Sequence, residues 1–184
     1  LIDAFRKIKN INYVCAVHEQ GAAMMADGYA RTKKKPGVTM VTSGPGAQNL
    51  ITGIASSWFD SIPTIHICGQ INSNDFLISK QKHPVRQRGF QETDIVSISK
   101  PITKFAYRLK RADEIEEILN KAYYMSISGR PGPVLLDIPM NFQNQKIVLN
   151  KKFLNSAKIN PKKFNNKKIL KLKSKIINSK KPLL

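Results

Sequence analysis

The sequence predicts an α/β fold in which helices cover both faces of a parallel sheet. Segments typical of strands occur near residues 13–17, 38–42, 64–69, 104–109 and 133–138. They alternate along the chain with segments typical of helices, near residues 20–32, 46–58, 92–98 and 112–127. The strand segments are mostly continuous apolar runs, as expected of strands that are buried on both faces. The alternation and the apolar runs together predict parallel strands joined by crossover helices.

The first half of the chain contains two helices with clear boundaries. The apolar run at residues 13–17 leads into a segment of small residues, 20–32, which we predict to be the first long helix. Pro36 and Gly37 separate this helix from the next strand. Pro45 stands at the predicted start of the following helix, where its missing N–H costs nothing because the first N–H groups of a helix have no partner within it.

The second half contains a long polar loop and a helix with an acidic start. Residues 70–91 show no apolar period, and loops of this length in a compact domain are usually functional or mobile. The helix at 112–127 begins with four acidic residues that suit its N-terminal dipole, namely Asp113, Glu114, Glu116 and Glu117. The run Gly-Arg-Pro-Gly-Pro at residues 129–133 ends this helix.

The length of 184 residues suits one domain with a substantial core and an extension. The chain begins at Leu1 in what we interpret as the middle of a helix, so we expect a fragment that lacks the first strand of its domain. We predict that the domain spans residues 1–140, that 141–163 form a linker, and that 164–184 begin a truncated central domain. Five apolar residues indicate an amphipathic helix there, namely Ile169, Leu170, Leu172, Ile176 and Ile177.

The formal net charge of +19 is concentrated at one end of the chain. Residues 146–184 contain 13 lysines and no acidic residue. Such a tract can bind nucleic acid or anionic membranes nonspecifically, so a nucleic-acid-binding protein stays an alternative. The tract contains no arginine, and we therefore expect no specific nucleic-acid partner. No apolar run approaches the roughly 18 residues of a membrane span.

The two cysteines, Cys15 and Cys68, lie in apolar strand-like runs where a free thiol behaves as a small hydrophobe. We predict that both are free, and their scarcity is compatible with a cytoplasmic location. His18 and His66 are expected to be structural, and His83 to lie in a surface loop.

Glu19 is the strongest candidate for a functional residue. It follows an apolar strand-like run and directly precedes the predicted helix, and ligands of parallel sheets gather at the carboxyl ends of strands. The alternative is that Glu19 only stabilises the first turn of that helix through its dipole. The turn Ser43-Gly44-Pro45-Gly46 matches neither glycine-rich nucleotide-binding motif, so we exclude a nucleotide site.

Six ordered blocks resemble thiamine-diphosphate enzymes of the acetolactate synthase group, and together they cover roughly residues 1 to 145. The blocks are residues 18–31, 42–49, 60–63, 89–92, 100–104 and 129–134. The resemblance implies the pyrimidine-binding domain of an enzyme that decarboxylates a 2-ketoacid and joins it to an acceptor. It also implies transferase or lyase chemistry in branched-chain amino acid biosynthesis and a homo-oligomer whose site lies at a dimer interface.

In this family the residue equivalent to Glu19 hydrogen-bonds N1′ of the cofactor's aminopyrimidine and favours the tautomer whose 4′-nitrogen removes the thiazolium C2 proton. Burial of Glu19 in a dry pocket would raise its pKa. The resemblance further places Pro45 and Asn49 beside the aminopyrimidine, although Asn49 could equally belong to an ordinary turn.

The resemblance assigns four more residues to the site. Phe90 and Gln91 match a block that lines the substrate and cofactor pocket, with Gln91 near the reacting centre. Phe90 could instead pack in the core. Lys104 matches a site-lining lysine, or is a solvated residue at a strand edge. Arg130 matches an arginine that contacts FAD in flavin-containing members, or is an exposed cation in a turn, so FAD stays open.

Two features depart from the family pattern. Met140 follows Ile138 and Pro139 where the family usually has a lysine, which puts the strict acetolactate assignment and FAD in doubt. The basic loop at residues 81–88 would suit another anionic or sugar-derived ketoacid.

No Gly-Asp-Gly motif with a following Asn is present to bind Mg²⁺ and the diphosphate. We therefore expect no metal ligand in this fragment and a different domain to bind Mg²⁺. We also expect the fragment alone to be inactive. The sequence does not identify the ketoacid or a regulatory subunit.

Overall fold

Four parallel strands form one sheet in the order β1-β2-β4-β3. The computed structural model describes residues 2–9, 11–76, 86–148 and 166–180. The strands are β1 (Gly37–Val41), β2 (Thr64–Gln70), β3 (Phe105–Arg108) and β4 (Val134–Pro139). The helices are α1 (Ile2–Lys7), α2 (Glu19–Lys33), α3 (Pro45–Asn49), α4 (Ile51–Phe59), α5 (Ile95–Ser99), α6 (Ile115–Ile127), α7 (Met140–Gln143) and α8 (Asn166–Ile177). The predicted α/β class with a parallel sheet is confirmed.

The register of the sheet brings the carboxyl ends of all four strands to one edge. Gly37 of β1 pairs with Thr64 of β2, and Ile65 of β2 pairs with Val134 of β4. Phe105 of β3 pairs with the same Val134 from the other side. We call the edge where the strands end the carboxyl edge, and the edge where they begin the amino edge.

Alternating residues of β4 face two separate hydrophobic cores. Leu135 packs with Ala23 of α2, Ile54 of α4 and Ile95 of α5 on one face. On the other face, Val134, Leu136 and Ile138 pack with residues of α6, namely Ile118 and Ala122. Complete burial of a leucine or isoleucine side chain contributes roughly 1.5–3 kcal/mol, so helices are held on both faces of the sheet.

Local signals in the sequence account for several helix boundaries. His18 is the N-cap of α2, and its Nδ1 accepts a hydrogen bond from the backbone N–H of Gln20 at 3.2 Å. Lys34 ends α2 in a left-handed conformation, with φ of 54°. Asp94 caps α5 by accepting a hydrogen bond from Ser97 N–H at 3.3 Å. Pro45 is the first residue of α3, as predicted.

The prediction of a strand at residues 13–17 is wrong. Residues 11–16 form no strand, and the side chains of Tyr13 and Val14 are 60% and 75% exposed. A strand is stable only when a neighbour satisfies its backbone N–H and C=O groups, and no described strand pairs with this segment. The β-prone side chains alone therefore do not produce a strand here.

Three helix predictions need smaller corrections. The helix predicted at 46–58 is divided at Leu50, whose N–H donates to the carbonyl of Ala47 at 3.2 Å and so tightens the turn between α3 and α4. The helix predicted at 92–98 begins only at Ile95, because Asp94 caps it. The helix predicted at 112–127 starts with a 3₁₀ turn over Ala112–Glu114, which contains two of its four acidic residues.

The polar loop and the C-terminal segment are described only in part. Ser73–Asp75 form a 3₁₀ turn, whereas residues 77–85, with His83 and most of the basic loop, lie outside the described residues. The predicted C-terminal helix is present as α8, and all of its side chains are exposed. Residues 149–165, and with them most of the predicted linker, also lie outside the described residues.

Cys68 is buried in β2, and Cys15 is exposed outside any strand. Neither forms a disulfide, so the prediction of free thiols is confirmed. Within the described part of the chain, no helix has the length and apolar character to span a membrane.

Candidate active site

The carboxyl edge of the sheet brings together three of the six blocks found in the sequence. The turn at residues 42–46 leaves the end of β1, α2 begins beside it at Glu19, and the loop at residues 89–94 lies against the same turn. We call the segment 89–94 the Gln91 loop. These blocks lie up to about 70 residues apart in the sequence, and the parallel register is what makes them neighbours.

Glu19 is the first residue of α2 and is partly buried. Its Oε2 accepts a hydrogen bond of 3.0 Å from Nδ2 of Asn49, the last residue of α3. The position at a helix N-terminus also favours negative charge. The structure thus places two predicted site residues in direct contact.

Gly46 has no side chain and so leaves space for the Glu19 carboxylate. A Cβ atom at position 46 would lie 2.8 Å from Cγ2 of Thr42 and 3.3 Å from Oε1 of Glu19. Any side chain would therefore press on the threonine and on the carboxylate. The glycine is required by this close approach.

The pKa of Glu19 is lowered from its ordinary value, and the hydrogen bond from Asn49 is the largest cause. This direction contradicts the expectation that burial would raise the pKa. Partial burial does oppose the shift, but the amide donor stabilises the charged carboxylate more strongly. In this chain Glu19 is therefore held in its ionised form.

Gly44 and Gln91 form the second contact of the site. Gly44 has φ of +58°, and a Cβ atom there would lie 2.5 Å from the carbonyl oxygen of Gln91. Gln91 itself adopts a left-handed conformation, with φ of 55°, which is uncommon for a residue with a side chain. The Gln91 loop is thus pressed directly onto the turn that carries Pro45 and Gly46.

Hydrogen bonds stabilise the Gln91 loop internally and link it to α3. Oε2 of Glu92 accepts from the backbone N–H groups of Arg88 and Gly89, at 3.0 and 3.1 Å. Gln48 of α3 donates from Nε2 to Oγ1 of Thr93 at 3.0 Å. The loop is therefore tied to the helix that carries Asn49.

Phe90 and Pro45 are exposed at this edge, with Phe90 80% exposed. The core-packing alternative for Phe90 is therefore wrong. An aromatic ring left in solvent next to Gln91 is available to contact a ligand or a second protein surface.

Three polar residues that the sequence analysis did not identify lie beneath the Gln91 loop: Gln70, Arg108 and Asp137. They occupy the last positions of β2 and β3 and a buried position of β4. The signal for Asp137 was a single acid inside the apolar run of β4. Nothing in the sequence indicated that the other two converge on it, because that depends on the register of three strands.

Lys104 and Arg130 lie at the opposite, amino edge of the sheet, away from Glu19. Lys104 directly precedes β3 and donates from Nζ to the carbonyl of Ser128 at 2.5 Å, and burial lowers the pKa of its ammonium group. Arg130 precedes β4 and donates from Nε to Oγ of Ser61 at 2.6 Å. Within the described residues, these two predicted site residues do not join the Glu19 cluster.

The amino edge also contains a network around Arg31 of α2. Its guanidinium donates to Oδ1 of Asp27 and Oδ2 of Asp60, both at 2.5 Å. Asp27 in turn accepts a hydrogen bond from Oγ of Ser57 at 2.8 Å. The blocks at residues 60–63, 100–104 and 129–134 thus gather at the edge that lacks Glu19.

Among the residues that the structure describes, no group of three or more histidine, cysteine, aspartate or glutamate side chains is arranged to hold a metal ion.

The parallel α/β fold agrees with the family that the sequence matches. Residues 1–98 match the family described as thiamine pyrophosphate enzyme, N-terminal TPP binding domain. The match covers more than half of the chain, and the chain belongs to this family. Thiamine pyrophosphate is the same compound as thiamine diphosphate.

Curated relatives of this chain are large subunits of acetolactate synthase. The chain is 45% identical over 139 residues to the acetolactate synthase large subunit of Buchnera aphidicola subsp. Schizaphis graminum, covering 76% of the chain and 23% of the relative. It is 44% identical over 144 residues to the large subunit of Haemophilus influenzae, covering 78% of the chain and 24% of the relative. The isozyme 3 large subunit of Escherichia coli K12 is 42% identical over 144 residues, with the same coverage of 78% and 24%. The chain thus spans about a quarter of the length of these relatives.

Proposed function

We propose that this chain supplies the aminopyrimidine half of the cofactor site in a thiamine-diphosphate-dependent enzyme similar to acetolactate synthase. The reaction would be decarboxylation of a 2-ketoacid followed by carboligation, in branched-chain amino acid biosynthesis. The observation that carries the proposal is the contact between Glu19 and Asn49, packed against Gly46 at the carboxyl edge. The relatives named acetolactate synthase support the same assignment.

The donor set around Glu19 fits an aminopyrimidine ring. Asn49 occupies Oε2, and a glycine leaves space beside Oε1. A carboxyl group in this position can share a proton with a ring nitrogen, which is the role we assign to Glu19. When bound, thiamine diphosphate supplies a nucleophilic thiazolium carbon and an electron sink for decarboxylation. Pro45 and Asn49 would bound the ring on the side of α3.

Gln91 and Phe90 are the residues that we assign to the substrate. The backbone and Cβ of Gln91 lie against Gly44, within the turn that precedes Asn49, and we therefore assign its side-chain amide to the same site as Glu19. An amide can donate to a ketoacid oxygen and needs no change of charge to do so. The exposed ring of Phe90 would contact the apolar part of the substrate.

We further propose that the other half of the site lies outside this chain. Mg²⁺ and the diphosphate would be bound by another domain, and the site would be completed in a homo-oligomer. Exposed apolar side chains on α2 support a covering surface; they are Met24, Met25 and Tyr29. We retain residues 141–163 as a linker, whose first residues continue α7 and pack on the domain through Phe142. Residues 164–184 would be the start of a central domain, with α8 as its first helix.

FAD, if the enzyme carries it, would be bound through the amino edge. The Arg130 guanidinium is exposed there, and the Lys104 ammonium group lies at the same edge. Both groups suit the negative charge of a flavin dinucleotide. A cytoplasmic location belongs to the same proposal and is supported by the two free thiols.

A second candidate substrate follows from Met140. This residue is exposed at the start of α7, directly after the carboxyl end of β4. A thioether in place of an ammonium group removes a cation from the rim of the site. The enzyme would then accept another anionic or sugar-derived ketoacid in preference to pyruvate.

The assay that tests the proposed function uses the full-length enzyme that contains this chain. We expect product formation from pyruvate to require added thiamine diphosphate and Mg²⁺, with acetolactate as the product. Turnover of a sugar-derived ketoacid at least about tenfold above pyruvate, a difference of 1.4 kcal/mol, would favour the second substrate. Turnover that is unchanged when the cofactor is removed would contradict both versions.

A further inference from the structure

Asp137 is a buried carboxylate with an incomplete set of hydrogen bonds. Its side chain is 0% exposed, and burial raises its pKa. Oδ2 accepts hydrogen bonds from Nε of Arg108 at 2.6 Å and from Nε2 of Gln70 at 3.2 Å. Oδ1 is buried without a partner in the part of the chain that the structure describes. A buried polar atom without a partner costs free energy. Asp137 therefore carries a cost in folding free energy at a position of β4 that lies between apolar residues.

Both partners of Asp137 extend to the Gln91 loop. Gln70 also donates from Nε2 to the backbone carbonyl of Thr93 at 3.0 Å. Arg108 donates from Nη2 to Oδ1 of Asp94 at 3.3 Å, and its guanidinium lies 4.2 Å from the ring centroid of Phe76. The Asp137 carboxylate thus orients two side chains that hydrogen-bond adjacent residues of the loop, Thr93 and Asp94.

The Gln91 loop needs such an anchor because of its backbone conformation. Gln91 has φ of 55° and precedes Thr93 by two residues. A left-handed conformation is unfavourable for a residue with a Cβ atom and persists only where the surroundings impose it. Gly44 presses on the loop from one side, and the anchor at Thr93 and Asp94 holds it from the other.

We propose that Asp137 is a positioning residue that holds Gln91 in its left-handed conformation at the site, through Gln70 and Arg108. The proposal rests on the proposed function, because Gln91 is assigned there to the substrate. Among the described residues, Asp137 has no hydrogen bond to Gln91 or to the Glu19 cluster. It acts through the loop backbone and leaves the proton-sharing role of Glu19 untouched.

The first test measures anchoring without any cofactor. Asp137→Asn keeps the size of the side chain but removes the charge that orients Gln70 and Arg108. In the cofactor-free full-length enzyme, we expect amide hydrogen exchange of residues 91–94 to become about tenfold faster, the scale of a lost charge-assisted hydrogen bond. Leu136→Ala is the matched control, because it opens a cavity in the core on the other face of β4. It should lower the Tm and leave exchange in the loop unchanged.

The second test measures the effect on the reaction in the loaded enzyme. With Asp137→Asn we expect kcat to fall about tenfold with little change in KM, and Glu19-dependent exchange of the cofactor's C2 proton to stay within about twofold of the wild type. Arg108→Lys should cause the same loosening of the loop, since an ammonium group lacks the fork that spans Asp137 and Asp94. The double variant should be no worse than either single variant, as expected of residues that act in one network.

Unchanged loop exchange in Asp137→Asn would overturn the proposal at the level of structure. Faster loop exchange with unchanged kcat would overturn it at the level of function, leaving Asp137 with a purely structural role. A wild-type enzyme without thiamine-dependent turnover would defeat the proposed function instead, and that outcome is recognised before any variant is made.

Discussion

One neighbour is the main cause of the lowered pKa of Glu19. The amide of Asn49 donates to its carboxylate and lowers its pKa, although partial burial acts in the opposite direction. A carboxylate that is ionised in water can still share a proton with a ring nitrogen once a ligand excludes the solvent, because desolvation then disfavours the charged form. The hydrogen bond to Asn49 therefore sets the starting point from which ligand binding shifts the pKa of Glu19.

Asn49→Ala should raise the pKa of Glu19, because the variant removes the donor that stabilises the ionised form. The titration of the Glu19 carboxyl carbon, followed by NMR in the 184-residue chain, measures this change. Gln48→Ala is the matched control on the same helix, since Gln48 bonds to Thr93 and not to Glu19. An identical Glu19 titration in the wild type and Asn49→Ala would show that the hydrogen bond does not control the carboxyl group.

At the scale of elements, the turn at residues 42–46 determines the geometry of the site. It leaves β1, begins α3 at Pro45, provides the glycine beside Glu19 and supports Gln91 through Gly44. A glycine is needed at position 44 for two reasons: its backbone conformation, with φ of 58° and ψ of −122°, and the closeness of the Gln91 carbonyl.

The cost of Gly44→Ala is compared with that of Gly129→Ala, at a second glycine with positive φ. Both glycines have φ near +60°, but only at position 44 would the new Cβ atom meet another residue, 2.5 Å from the Gln91 carbonyl oxygen. Gly129→Ala should cost about 1 kcal/mol of unfolding free energy from the left-handed conformation alone. Gly44→Ala should cost about 2–4 kcal/mol, because its φ of 58° and ψ of −122° suit only glycine and because the loop must also move. Denaturant unfolding measures both values, and equal losses would mean that the contact with Gln91 contributes nothing.

The elements also show which parts of the site could be predicted from the sequence. The buried strands β2 and β4 were predictable because their apolar runs are stabilised by burial wherever they pair. The strand expected at residues 13–17 has the same local pattern but no described partner, and local pattern cannot supply one. Glu19 was identified first from its position before the helix and then, with Asn49 and Gln91, through family resemblance. Gln70 and Arg108 were missed, because their convergence on Asp137 exists only in the register of three strands.

At the scale of the whole molecule, the sheet separates two groups of functional candidates. The carboxyl edge carries Glu19, Asn49 and Gln91, whereas the amino edge carries Lys104 and Arg130. The length of the strands therefore separates a ligand bound at Glu19 from the two cations. In the proposed oligomer, the two groups would act on different ligands or on different copies of the site.

The stability of the molecule should fall in acid partly because of His66. Its ring is fully buried between Oγ1 of Thr39 and Oγ1 of Thr64, at 2.8 and 2.9 Å, and burial lowers its pKa to about 3. The unfolded chain takes up this proton below about pH 6.5, whereas the folded chain does not. Stability is therefore complete above that pH and declines toward pH 3, by up to about 1.4 kcal/mol per pH unit.

The comparison of His66→Gln with the wild type isolates this contribution, because glutamine can hydrogen-bond but does not titrate. We expect the difference in unfolding free energy between the two proteins to shrink as the pH falls from 6.5 to 4. Chemical denaturation at several pH values measures it. A difference that does not change with pH would show that His66 contributes no pH dependence.

The most direct test of the site is Glu19→Gln in the full-length enzyme, measured by deuterium exchange of the cofactor's C2 proton. The substitution keeps the size of the side chain and removes its ability to share a proton. We predict that kcat falls by at least about 10²-fold and that C2 exchange slows by a similar factor, with folding intact. Glu117→Gln, on the exposed face of α6, is the control and should behave as the wild type. Near-normal exchange and turnover in Glu19→Gln would contradict the assignment and leave Glu19 as a residue that only stabilises the start of α2.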